Sequence, residues 1–236
     1  MTHSIRPGFL ALCLLVLAAC SPSSPPPEAA APEAAAQGSK ELELYRMLLE
    51  QDSWELAAPI GKEIMERFPG SAAANEVSQT LEETAGKAEA ATRQRRMERL
   101  WSYQSGQESG AAQVTASIYS DDRNPSARVR LVLRRHADWG QSAYLFGSGE
   151  GFACRGDCGI GMQFDGEKPP RPFKGYLPET GEPALFIADD KAFIERMAKA
   201  QVLRIDVDEK GKGPRTLTFE VGGFDAAKFP APAKAK

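Results

Sequence analysis

Two cysteines, Cys154 and Cys158, sit in the foldable part of this chain, separated by Arg155-Gly156-Asp157 within GFACRGDCGIG (151–161). Four chemistries use such a pair. A structural zinc site needs about four nitrogen or sulfur ligands. Past the N-terminal segment no second cysteine pair follows, and His136 is the one histidine, so that set falls short. A redox dithiol favours a low-pKa thiol, often in Cys-x-x-Cys at a helix start, whereas apparent strands flank this pair. The Arg-Gly-Asp tripeptide reads first as ordinary turn residues and only second as a receptor ligand. A disulfide fits best. A three-residue loop brings its flanking Cα atoms to facing positions about 5 Å apart, within bonding range. Gly156 and Asp157 suit the positive φ such loops need. Closing so short a loop contributes about 2 kcal/mol at most, so the bond pins register more than it stabilises.

The other polar groups read mostly as structural. Asp121, Asp122 and Asn124 suit Asx turns better than a cation site. Asp165-Gly166 marks a hairpin, and Asp189 or Asp190 a helix cap. Gly147, Gly149 and Gly151 imitate a phosphate loop without the strand-to-helix context. His136, beside Arg134 and Arg135, reads as an exposed surface residue. No serine or cysteine nucleophile has a visible base, so the chain is read as non-enzymatic, with no cofactor and no metal. Arg128, Arg130 and Arg134 alternate along one apparent strand. They form either its solvated side or a contact for an anionic partner or glycan. With 29 basic against 32 acidic residues, the chain has no general attraction for nucleic acid.

These groups need elements to position them. Phe9 to Ala19 is an apolar run of eleven residues after a short basic start, too short for a permanent span and right for a secretory signal. Residues 20–39 are rich in Pro, Ala and Ser and read as a semi-extended tether. Residues 40–100 read as helical. Leu42, Tyr45, Leu48 and Leu49 share one face of a first helix. Asp52 and Glu55 suggest a capping box opening a second helix, in which Pro59 should produce a kink. Ser71 caps a third helix carrying Val77, Leu81 and the Glu83–Lys87 pair. The basic run 93–99 reads as a solvated helix end. From Trp101 the period shifts to 2, with short strands and Gly, Pro and Asp turns. That pattern predicts an α+β chain whose residues 101–227 form an antiparallel β-sandwich or barrel-like domain with one inserted helix. Residues 228–236 read as a disordered tail.

Three resemblances add to this. Leu17-Ala18-Ala19-Cys20 resembles the lipobox of bacterial lipoproteins. It implies a signal peptide over 1–19, a lipidated Cys20 as the first mature residue, and membrane attachment, with Ser21 favouring the outer membrane. Several acyl chains would give stable anchoring, and a periplasmic location would let a Cys154–Cys158 bond persist. The stretch from Tyr45 to Val77, with Trp54, Ala57 and Phe68-Pro69-Gly70-Ser71, resembles a tetratricopeptide-type helical pair. A single repeat cannot stand alone, so it must pack on a neighbouring domain, a second copy or a partner. Trp101-Ser-Tyr103, Phe152-Ala-Cys154, Cys158-Gly-Ile-Gly-Met-Gln-Phe-Asp165 and Asp190 to Met197 follow in order, closed by Leu217-Thr-Phe219 to Phe224. This order resembles a set of mostly uncharacterised proteobacterial envelope domains. It is more distantly similar to periplasmic accessory proteins of type VI secretion, and implies a periplasmic β-sandwich without a catalytic set. The expectation is an envelope lipoprotein that docks an envelope protein. An immunity lipoprotein against a secreted toxin is the alternative, and a cell-wall hydrolase a lesser one.

Overall fold

A computed structural model describes residues 27–147 and 149–232, with side chains from Gly38 onward. The signal segment, Cys20 and residues 233–236 lie outside the described residues. Helix α1 runs Pro27–Glu50, so it starts well inside the segment read as an extended tether. The run AAAPEAAAQ explains this, because Ala, Glu and Gln are strong helix formers and Pro27 occupies the first helical position. Helix α2 (Trp54–Arg67) is capped by Ser53, whose side chain makes no capping bond. The expected Asp52 capping box is not formed. Asp52 instead takes φ 54 and closes α1, with Ser53 N–H donating to Leu48 O at 2.8 Å. The expected third helix is two: α3 (Ala72–Val77) and α4 (Leu81–Glu98). Ser71 caps α3 by accepting from Ala74 N–H at 3.1 Å, as its position predicts. Tyr45, Ala57, Ile64 and Val77 make the helical core, and the Tyr45 hydroxyl bridges to Thr80 and Thr84 at 2.9 and 3.0 Å. Glu83 and Lys87 pair at 2.7 Å.

The β-domain is one curled antiparallel sheet of nine strands in the order β1-β2-β3-β4-β7-β6-β5-β8-β9. The strands are β1 (Ser102–Glu108), β2 (Ala111–Tyr119), β3 (Arg130–His136), β4 (Gly140–Phe146), β5 (Cys158–Phe164), β6 (Arg171–Tyr176), β7 (Ala184–Ile187), β8 (Leu203–Glu209) and β9 (Gly213–Phe219). Of the two expected arrangements this is the barrel-like one, a half-barrel rather than two packed sheets. β8 shows the clearest alternation, Leu203, Ile205 and Val207 inward and Arg204, Asp206 and Asp208 outward, as a half-buried strand requires. Helix α5 (Asp190–Met197) crosses from β7 to β8 and buries Phe193, Ile194 and Met197 in the core lined by Leu131, Leu145 and Phe219. Asp189 caps it, accepting from Ala192 N–H at 3.2 Å. Phe229, assigned by composition to the tail, is buried. Arg135 lies 4.5 Å over its ring and donates to its carbonyl at 2.6 Å.

The curl closes along a seam that also holds the helices. Past β9, Val221 O accepts from Trp101 Nε1 at 3.3 Å, and the Asp225 N–H donates to Tyr103 Oη at 2.7 Å. Asp121 N–H donates to Thr218 O at 2.7 Å on β9 itself. On the helical side, Gln94 Nε2 donates to Gly222 O at 3.3 Å and Arg96 pairs bidentately with Glu220 at 2.5 and 2.6 Å. Arg95 pairs with Glu55. The arginines of the basic run are exposed, as a solvated helix end requires, and two of them also make ion pairs within the chain. Gly223 sits where a Cβ would run into the backbone of Met97 and Glu98.

Two expectations follow. Gly223→Ala should destabilise by about 1–3 kcal/mol through forced separation of the seam. Gly86→Ala, at an open position within α4, should stabilise by about 0.5–1 kcal/mol; urea unfolding checks both. The Arg96 guanidinium holds the Glu220 carboxyl below its ordinary value of 4.5. A depressed carboxylate contributes stability above its unfolded value and loses it as pH falls through the folded one. The cost of Arg96→Gln should therefore be full at pH 7, shrink below about 4.5 and vanish in stronger acid, as unfolding at a series of pH values will show.

Candidate functional site: an arginine–aromatic ladder

Side chains from β3, β4, β7 and β6 that point away from the core form a continuous stack. Register makes it possible: Val132 faces Tyr144, Tyr144 faces Phe186, and Phe186 faces Tyr176 across successive strands. The Tyr144 and Phe186 rings lie 4.8 Å apart at 29°, and Phe186 and Tyr176 5.4 Å apart at 21°. Those separations match the spacing of neighbouring strands. The rings therefore stand off the sheet face to face, with their edges outward. Arg134 continues the stack, its guanidinium 5.6 Å from the Tyr144 centroid and 5.2 Å from that of Trp139. Its Nε donates to Ser142 Oγ at 3.1 Å. Arg130 lies 5.6 Å from the Phe146 ring, with Tyr119 opposite it on β2. The stack covers Val132, buried on this outer side. Its rim stays open, with Tyr119 56%, Trp139 53% and Tyr176 41% exposed.

His136 ends the ladder and corrects its reading as a surface residue. It is buried, stacked 3.8 Å from Trp139. Its Nδ1 accepts from the Asp138 and Trp139 N–H groups, each at 3.2 Å, and Nε2 lies 2.9 Å from Glu108 O. That pattern assigns the neutral tautomer with the proton on Nε2. It fixes the tight β3–β4 turn and thereby the position of Trp139.

The arginines of this face differ from those of the chain that are tied to acids. Arg46, Arg67, Arg96, Arg171, Arg196 and Arg215 each hold a carboxylate. Among the described residues, Arg130 and Arg134 hold none within ion-pair distance. Cation–π contacts fix their planes and leave N–H edges for another acceptor. Burial pushes the Tyr144 hydroxyl above its ordinary value, against the pull of Arg134 and Arg130 and with a smaller push from Glu182 and Glu108, so it is a donor at neutral pH. Arg128 does not join them. It lies before β3, exposed, with its Nε donating to Asp122 O at 2.9 Å, because Pro125 and Ser126 turn the chain there. The expected row of three is a pair.

Elsewhere the sequence candidates resolve into structure. Asp122 and Asn124 make successive Asx turns to the N–H groups of Asn124 and Ser126, at 2.9 and 3.1 Å. Asp165 and Gly166, at φ 49 and 78, form the β5 turn. Among the described residues, no cluster of three His, Cys, Asp or Glu side chains could hold a metal. A cleft of about 1080 Å³ between α5 and β6 is charged, and two of its arginines are answered from within it. Its Glu167 accepts from Arg171 at 3.0 Å and from Arg196 at 2.8 Å.

Cys154 and Cys158 are bonded, with Cα atoms 5.4 Å apart, but not as the facing pair of a hairpin. Phe152 bridges to Glu209, Ala153 N–H donates to Asp208 O at 2.7 Å, and β5 itself pairs with β8 from Gly161 onward. Both segments thus run along β8 end to end. The disulfide closes the foot of the loop 155–157 that bulges out between them. The alternation of Tyr144 and Phe146 on β4 signals a shared face, but the rest of the ladder comes from strands distant in sequence. No protein-family model, curated protein or solved structure matches the chain.

The double variant Cys154→Ser/Cys158→Ser should keep the fold and lose about 2 kcal/mol or less. Faster hydrogen exchange should be confined to Ala153 and Lys210, whose amides tie this segment to β8. Global unfolding of the variant would contradict the placement.

Proposed function

We propose that this chain is a non-enzymatic envelope lipoprotein, anchored through Cys20 and docking a protein partner through the arginine–aromatic face of its half-barrel. The observation that carries the reading is the face itself. Aromatic and arginine side chains are enriched at protein interfaces because they give large contact area and directional hydrogen bonds at modest entropic cost. Here they form one pre-arranged surface, and Arg130 and Arg134, which make no ion pair among the described residues, remain open to a partner's acceptors. The lipobox-like LAAC supports the anchor, and helix α1, tied through α4 to the seam, supports a folded unit held off a membrane rather than inserted in it. Among the described residues no helix is long and apolar enough to cross a bilayer.

The full-length chain carrying a photo-crosslinking residue at Trp139 should trap a discrete protein in intact envelopes. The same residue at Arg204 on β8 should not. Cys20→Ala should move the chain from the membrane to the soluble fraction and abolish that product. A Trp139 position that yields no discrete adduct, or one no different from Arg204, would overturn the docking reading.

A further inference from the structure

We infer that the ladder recognises carboxylate groups on a partner protein, so that its occupant is an acidic segment carrying Asp or Glu side chains. This deepens the docking reading and rests on it.

Arg130 and Arg134 are cations with no carboxylate within ion-pair distance among the described residues. The Tyr144 and Tyr176 hydroxyls and the Trp139 indole N–H stand among them. Every group named can donate a hydrogen bond, and although Glu182 and Glu108 lie within electrostatic reach of Tyr144, neither pairs with the two arginines, so the complementary ligand is rich in acceptors and negatively charged. Ring orientation narrows the class. The faces of Tyr144 and Phe186 are used up against each other and against Arg134 and Tyr176. A sugar ring or nucleobase stacks on an open aromatic face, and the middle of this surface presents edges. Aromatic edges carry the positive end of the ring quadrupole, which again favours a carboxylate. Spacing adds a further constraint. Arg130 and Arg134 lie four residues apart on one strand face, a span of roughly 13 Å at 3.3 Å per residue. Two carboxylates four positions apart on an extended acidic segment cover the same span.

A dansylated (Glu-Ala)5 peptide titrated into the full-length protein tests this, with (Gln-Ala)5 as its neutral match. The expected result is salt-sensitive binding of the glutamate peptide only, shifting the Trp139 indole N–H and Val132 methyl resonances. Arg130→Gln/Arg134→Gln should weaken it about tenfold, while Arg204→Gln leaves it unchanged. The mapping on the unsubstituted protein stands even where the double variant folds poorly. Equal binding of both peptides, shifts that avoid the ladder, or no binding would overturn the inference. So would stronger binding of inorganic phosphate, polygalacturonate or phosphatidylglycerol vesicles at the same residues. If the acidic peptide fails while crosslinking at Trp139 still traps a discrete protein, carboxylate recognition falls and the docking reading survives.

Discussion

The close approach of Gly223 to the backbone of Met97 and Glu98 is the constraint on which the rest of this molecule depends. It permits the segment after β9 to lie against the end of α4, beside the other seam contacts. Val221 takes the Trp101 indole, Gly222 takes Gln94, and Glu220 takes Arg96. One short stretch thus closes the curl of the sheet and docks the helical unit. A side chain at Gly223 would wedge both apart.

Closure in turn sets what the outer face can be. A curled sheet buries its concave side around α5 and leaves its convex side to solvent, where strand spacing dictates cross-strand contacts. On β3, β4, β7 and β6 that spacing is occupied by planar groups, so they stack. The stack shields Val132, fixes two guanidinium planes and ends on a buried histidine that holds the turn. Its stability comes from neighbours within the sheet, while its hydrogen-bonding edges stay open. The large cleft beside α5 differs in this respect, since Glu167 already answers its arginines. What sets the ladder apart is that its two guanidinium groups without a carboxylate, among the described residues, lie together on one aromatic face.

Local signals were the legible part of the sequence. Ser71 caps as its position indicates, Glu83 meets Lys87, Asp189 caps α5, and β8 alternates as it should, because each depends on residues within a few positions. The errors came from tertiary context or from competing local rules. Asp52 lost its capping role to a left-handed turn closing α1. Composition assigned Phe229 to a tail, yet a pocket under Arg135 buries it. His136 looked exposed because the turn residues that bond its ring are invisible to periodicity. The ladder draws on four strands that are not consecutive in sequence, since β7 pairs with β4 across an intervening hairpin. Two of the three arginines were found, but the aromatic half of the site depended on that topology. The disulfide was legible as a pair, while the bulge it closes along β8 was not.

A face built for docking should be covered in the envelope. Hydroxyl-radical footprinting of the full-length protein, purified and in intact envelopes, tests it most directly by comparing oxidation of Trp139 and Tyr176 with that of exposed Leu56 on α2. The account predicts strong protection of Trp139 and Tyr176 in envelopes with Leu56 less affected. Oxidation of Trp139 and Tyr176 at the same rate in both preparations would contradict it.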